Sequence, residues 1–291
     1  MRVLITGAGG QLATYLEQAF GGSDVTALTH AELDITDEPQ VNSQVADARP
    51  DLVVNTAAFH NLPECEKDIE ASFNVNARGP YLLGMACRKI SAKLVHISTD
   101  YVFGNANASK PFVEGDLPAP QSVYAMSKLA GEHLVAQATD SHIVIRTCGL
   151  YGARGSAGKS GNFVLTMLRL ARDRGAVRVV NDQICAPTYA KHLAGAIAAL
   201  SGSGRCGTFH VVNSGSCTWL EFALEIFRIS GLNPSAAAIR SDEFFDGVKR
   251  PVYSVLDCSR YEKVTSCPMP SWKDGLGDYL AEIGESAAAG S

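Results

Sequence analysis

No two of the eight cysteines, at 65, 87, 148, 185, 206, 217, 258 and 267, form a CxxC pair. Their wide scatter excludes a zinc ribbon and a dense disulfide framework, leaves buried thiols as the plain reading, and gives no reason to expect a metal site. No run approaches the roughly 20 apolar residues of a membrane span. The chain enters the strand-like Met1-Arg2-Val3-Leu4-Ile5 without the apolar core of a signal peptide, so a cytoplasmic protein that does not bind membranes is expected. Charge of one sign is also scarce in surplus: 30 acidic against 25 basic residues leave a net charge of −5. That is too little for an electrostatic footprint on nucleic acid. Small-molecule chemistry remains.

What is present is a chain of 291 residues, 46% of them hydrophobic, enough to bury a sizeable core. Short β-branched runs at 3–6, 25–28, 52–56, 94–98 and 143–146 alternate with amphipathic stretches. The first such stretch carries Leu12, Tyr15, Leu16, Ala19 and Phe20 on one face and meets Gly21-Gly22, where a helix stops. Strands alternating with helices predict an α/β fold, a doubly wound parallel sheet covered on both faces. After about Tyr151 the rhythm changes. A Gly/Ser/Lys loop at 152–161 leads to a helix at 163–172, and a strand at 208–212 precedes a helix at 219–230. The expected division is a dinucleotide-binding domain at 1–150 and a smaller C-terminal α/β substrate lobe at 151–284. Residues 188–212 return to the first sheet and 285–291 form a disordered tail.

Thr6-Gly7-Ala8-Gly9-Gly10-Gln11-Leu12-Ala13 follows the first strand and opens the first helix. In that position Gly7 makes the tight turn, Gly10 lets backbone approach a pyrophosphate, and the helix N-terminus faces its charge. The second strand ends in Leu28-Thr29-His30 without a carboxylate to take a ribose hydroxyl. His30 tolerates a 2′-phosphate, so the cofactor reading is NADPH or NADH with a lean to NADPH. Ala57 and Ala58, just past the third strand, are small enough for a cofactor to lie over the sheet edge. Tyr124 and Lys128, four apart, share one face of a helix. A tyrosine near pKa 10 serves as an acid–base group near neutrality only if a cation favours its phenolate, and Lys128 is placed for that. Thr99, at the end of the strand His96-Ile97-Ser98-Thr99, adds a hydroxyl at the carboxyl edge of the sheet, where open α/β folds bind ligands. Together they predict carbonyl reduction: Thr99 bonds the carbonyl oxygen, Tyr124 donates the proton, Lys128 tunes it, and the cofactor supplies the hydride.

These motifs resemble those of the extended short-chain dehydrogenase/reductase family and, within it, the dTDP-4-dehydrorhamnose reductase group. The resemblance runs through Leu33-Asp34-Ile35-Thr36-Asp37, Ser98-Thr99-Asp100-Tyr101-Val102-Phe103, Asn162-Phe163-Val164, Asp182-Gln183, Pro187-Thr188-Tyr189-Ala190 and Arg250-Pro251. It implies a Rossmann-type lobe for the cofactor, with Gln11, Leu12, Asp34, Ile35, Asn76 and Cys148 joining Gly7, Gly10, Ala57, Ala58, Tyr124 and Lys128 in holding it. It implies a nucleoside-diphosphate sugar as substrate, met by Thr99, Asp100, Tyr101 and Arg250, and a homodimer as a possible assembly. Tyr101 stands where related sugar dehydratases carry a Glu and related epimerase-reductases a Cys, so net 4-keto reduction is implied. The chain departs from the group in two places. Gly149 replaces a tryptophan near the sugar, which predicts a wider pocket and opens the choice of sugar, and Gly104-Asn105 replaces Asp-Gly. The reading from another class is a non-catalytic cofactor-binding regulatory subunit, because the beta subunit of methionine adenosyltransferase resembles the same group. Trp219 and Trp272 read as packing anchors, and Lys249-Arg250 reads equally well as a surface pair.

Overall fold

The computed structural model describes residues 1–104, 108–152, 161–244 and 246–286. Asn105 and most of the loop at 152–161 lie outside the described residues, as do 287–291. Five strands supply most of the central sheet: β1 (Arg2–Thr6), β2 (Asp24–Leu28), β3 (Leu52–Asn55), β4 (Lys93–Thr99) and β5 (His142–Thr147). A sixth, Gly207–His210, pairs with β5, and the spatial order is Gly207–His210, β5, β4, β3, β1, β2, all parallel. Val3, Leu4, Ile5, Leu52, Val53 and Val54 are buried because helices cover both faces of such a sheet. This is a Rossmann-type doubly wound fold. The chain reverses its winding between β1 and β3, and that switch point opens a crevice beyond the carboxyl ends of the strands.

Helix α1 (Gln11–Ala19) starts directly after the glycine turn and buries Leu12, Ala13, Tyr15 and Leu16. Its cap, Gly10, supplies no side-chain hydrogen bond, so the first N–H groups of the helix face outward. The long helix Val123–Ala138 is capped by Ser122, whose hydroxyl accepts from the Ala125 N–H at 3.2 Å. It buries Ala125, Ser127, Lys128, Gly131, Glu132, Val135 and Ala138.

The C-terminal lobe carries a parallel pair, Ala176–Val180 with Ser235–Ile239, beside the helices Phe163–Arg174 and Trp219–Ser230. It is not separated from the sheet by a cleft in the core. One apolar cluster joins Val3, Ile5, Tyr15 and Leu16 to Val164, Phe222, Trp272 and Tyr279. Glu285 is anchored as well: its N–H donates to Leu280 O at 2.8 Å and its carboxylate pairs with Arg172. No helix among the described residues is long and apolar enough to cross a membrane.

Candidate active site

The glycine turn and the loop after β3 meet at the switch point. Gly7 has φ +77°, and a Cβ there would stand 2.8 Å from the Ala57 nitrogen and 2.9 Å from Thr56 Oγ1. Only glycine permits both the backbone angle and the approach. Gly10 N–H donates to Gly7 O at 3.2 Å, closing the turn in front of α1. Such a cradle of backbone N–H groups at a helix start fits the pyrophosphate of a dinucleotide. Leu12 points its side chain into the core, so it offers a ligand backbone alone. Ile35 is likewise buried, and Asp34 accepts from the N–H and hydroxyl of Thr36 at 2.9 and 2.8 Å. At the β2 tip a carboxylate does appear: Glu32 folds back to accept from Thr29 N at 2.8 Å and Thr29 Oγ1 at 2.7 Å. The Thr-x-x-Glu spacing was the signal for it.

Asn76 corrects the expectation of a direct cofactor contact. It is fully buried, accepts from Phe59 N at 2.9 Å, and donates to Phe59 O at 2.8 Å and Ser127 Oγ at 3.0 Å. Its amide is thus spent on clamping the loop after β3 to the long helix. Cys148 is buried at the end of β5, its thiol beside Asp100 and Cys185. Gln11 accepts from Asn162 Nδ2 at 3.2 Å, tying the start of α1 to the C-terminal lobe.

At the end of β4 the reacting groups come together. Thr99 Oγ1 donates to Asp100 Oδ1 at 3.2 Å and accepts from Tyr101 N at the same distance. Its hydroxyl lies beside the Tyr124 phenol. Tyr101 meets Tyr124 edge-on, centroids 6.1 Å apart. Asp100 is buried, and burial lifts its carboxyl to about 6 even with the Ser254, Cys148 and Thr99 side chains close by. Arg250 stands beside the Tyr101 phenol, but its fork is already bidentate on Asp246, at 2.7 and 2.6 Å. A guanidinium paired in this way presents less net charge to a phosphate than the sequence suggests.

Lys128 differs most from expectation. Its Nζ donates to Ile97 O at 2.6 Å and stands 3.4 Å from His96 Nε2. Tyr124 as a whole is raised, not lowered. Burial pushes the phenol above its ordinary range, which keeps it a proton donor, and burial brings Lys128 down to about 8 against the opposing field of Glu132. One turn beyond Lys128, Glu132 makes a buried pair with Arg146 of β5, 2.7 Å between Oε2 and Nη2, and accepts from Ser98 Oγ at 2.5 Å. The Arg146 guanidinium also lies over the Phe103 ring, 5.1 Å from its centroid. This network locks the helix carrying Tyr124 and Lys128 onto β4 and β5, and nothing in the spacing of those residues announces it.

Gly149 does not leave open space. It adopts φ +51°, and a Cβ there would meet the edge of the Trp219 ring at 3.2 Å. Trp219 packs on Phe163 at 4.8 Å and Phe222 at 6.2 Å. An indole from the C-terminal lobe therefore fills the space beside Gly149, correcting the expected widening. Trp272 packs on Phe222 at 5.9 Å.

The sequence model of one family, the RmlD substrate binding domain, matches residues 1–285. The chain belongs to that family. It is 41% identical over 97% of its length to the spore coat polysaccharide biosynthesis protein SpsK of Bacillus subtilis, covering 97% of that protein. It is 39% identical to the dTDP-4-dehydrorhamnose reductase of Streptomyces griseus, over 94% of this chain and 91% of that one. The solved structure of the dTDP-4-dehydrorhamnose reductase from Bacillus anthracis in complex with NADP superimposes with a TM-score of 0.91 at 36% identity, covering 97% and 99% of the two chains.

Proposed function

We propose that this chain is an NADPH-dependent 4-ketoreductase of a dTDP-linked deoxysugar, converting dTDP-4-dehydrorhamnose to dTDP-L-rhamnose. The observation that carries the reading is the meeting of Thr99, Asp100 and Tyr124 at the carboxyl end of β4, beside a glycine cradle suited to a dinucleotide. The names of the relatives from S. griseus and B. anthracis, and the NADP held by the latter, support the sugar and the cofactor.

In this reading Gly7, Gly10, the backbone of Leu12 and the Ala57-Ala58 segment hold NADPH, which supplies the hydride when bound. Thr99 Oγ1, oriented in the free enzyme by Asp100, turns its one hydroxyl proton from that carboxylate to the keto oxygen when substrate binds. Tyr124, kept protonated by burial, gives its proton to the developing alkoxide. Lys128, in its ammonium form, stabilises the tyrosinate left behind. Tyr101 and Arg250 meet the diphosphate side of the substrate. Residues 1–150 carry the cofactor and 151–284 the sugar, in a cytoplasmic enzyme. Exposed Ile69 and Phe73, with Met126 and Leu134 on the long helix, support a homodimer, which sedimentation measures.

Because the indole beside Gly149 enters from Trp219 and not from position 149 itself, the pocket wall is built differently, and the second reading is a 4-ketoreductase for a different nucleotide sugar. The test is NADPH oxidation with a panel of dTDP-, UDP- and GDP-linked 4-keto sugars. Fastest turnover with dTDP-4-dehydrorhamnose is expected. A faster sugar in the panel selects the second reading, and no turnover with any of them overturns both.

A further inference from the structure

Below the reacting groups runs a line of buried polar side chains that the reaction, as described, does not use. Asn55 ends β3 and His96 sits on β4, both fully buried. Asn55 Oδ1 accepts from Thr6 Oγ1 at 2.6 Å and from the Ala57 N–H at 3.2 Å. Asn55 Nδ2 stands 3.1 Å from His96 Nδ1, and His96 Nε2 stands 3.4 Å from Lys128 Nζ. Gly131 lets the long helix settle on this line, since a Cβ there would stand 2.2 Å from Asn76 O and 3.4 Å from His96 Nε2.

Hydrogen-bond logic assigns the protons. A backbone N–H can only donate, so the Asn55 oxygen must face Ala57 and its nitrogen must face the histidine. His96 Nδ1 is then an acceptor. The ring is neutral, because burial first and the Lys128 charge second push it well below its ordinary value. A neutral ring with Nδ1 accepting carries its proton on Nε2, the nitrogen aimed at Lys128. An ammonium has no lone pair to receive that N–H, and an amine has one.

We propose that His96 is a positioning residue for Lys128: fixed as the Nε2–H tautomer by Asn55, it donates to the lysine nitrogen and favours the amine over the ammonium. This rests on the reading of Tyr124 and Lys128 as the acid pair and adds to it the group that sets the lysine's proton affinity. The other titratable groups around the pair are Glu132 and Tyr124 on the same helix, with Arg146 on β5 holding Glu132, and Asp100, Cys65 and Cys148 acting on Tyr124. Glu132 pulls the lysine toward the ammonium, and His96 opposes it.

Two measurements test the proposal. In the intact protein labelled with ¹⁵N-histidine, the resonances lost on His96→Gln or His96→Asn identify His96 among the seven histidines. Its ring-nitrogen shifts then report the tautomer without any turnover. The Nε2–H form is expected, and an Nδ1–H or doubly protonated ring overturns the proposal even if the chain proves to act on another sugar. The second measurement is the pH profile of kcat/KM. His96→Gln places a carbonyl oxygen near Nε2 that accepts from the ammonium, so the alkaline limb moves up by about half to one pH unit, the size one hydrogen bond supports. His96→Asn, which removes the donor without offering an acceptor, moves it less in the same direction. A limb that stays in place in both variants refutes the proposal, whatever happens to stability. If neither variant folds, His210→Gln removes the other buried histidine held below its ordinary range, His96 is then the ring that fails to titrate, and its tautomer alone decides.

Discussion

Asp100→Asn separates what the buried carboxylate does for the reaction from what it costs the fold. Burial lifts Asp100 from 3.8 to about 6. At about 1.4 kcal/mol per pH unit, that displacement corresponds to ~3 kcal/mol of folding free energy lost when the group ionises in the folded state. The direction follows from the raised value. Below about pH 4 the carboxyl is protonated in both folded and unfolded chains and there is no penalty. From pH 4 to 6 the unfolded chain releases its proton first, so stability falls as pH rises, and above pH 6 the full cost is present. Asparagine is nearly isosteric, accepts from Thr99 through its oxygen, and does not titrate. Asp100→Asn is therefore expected to be more stable than wild type by about 2–3 kcal/mol at pH 8, with Tm raised by roughly 4–10 °C, and to match it within about 1 kcal/mol near pH 4. Turnover falls at the same time, by about tenfold or more, because Thr99 loses the carboxylate that orients its hydroxyl. Urea unfolding followed by tryptophan fluorescence, run at several pH values, measures the difference. If wild type is the more stable protein at pH 8, or if the gap does not close on acidification, the reasoning fails.

The Glu132–Arg146 pair gives the opposite behaviour. Truncating either residue to alanine leaves the other as an unpaired buried charge and is expected to cost about 3–5 kcal/mol in urea unfolding, whereas a loss below about 1 kcal/mol would show the pair to be dispensable. Gly7→Ala forces a Cβ onto a positive φ and against the Ala57 backbone. It is expected to cost about 1–2 kcal/mol and to weaken NADPH binding at least tenfold by fluorescence titration. Trp219→Ala removes the indole packed beside Gly149, so KM for the sugar rises several-fold while the dissociation constant for NADPH stays put. Equal losses for both ligands would place Trp219 away from the sugar.

The parts of this architecture that were legible are those written in local pattern. The apolar runs of β1 and β3, the glycines between β1 and α1, and the four-residue spacing of Tyr124 and Lys128 each specify structure within one element or one turn. Ala176–Val180 was missed although its burial alternates, and its partner Ser235–Ile239 is a run of small residues that becomes a strand only by pairing. What sequence could not disclose are contacts between distant elements. Ser98, Glu132 and Arg146 join two strands and a helix, and Asn55 reaches His96 across 41 positions. Trp219 arrives beside Gly149 from 70 residues away. The same reason explains Lys128: its place on the tyrosine's face of the helix was readable, but its commitment to Ile97 O and His96 depends on what β4 presents beneath it.

The most direct test of the proposed chemistry follows the loss of NADPH absorbance driven by dTDP-4-dehydrorhamnose, comparing wild type with Tyr124→Phe, with NADPH binding to each protein measured in parallel. The account predicts rapid oxidation by wild type and a rate at least about 100-fold lower in the variant, at unchanged cofactor affinity. A Tyr124→Phe protein that turns over at close to the wild-type rate would contradict it.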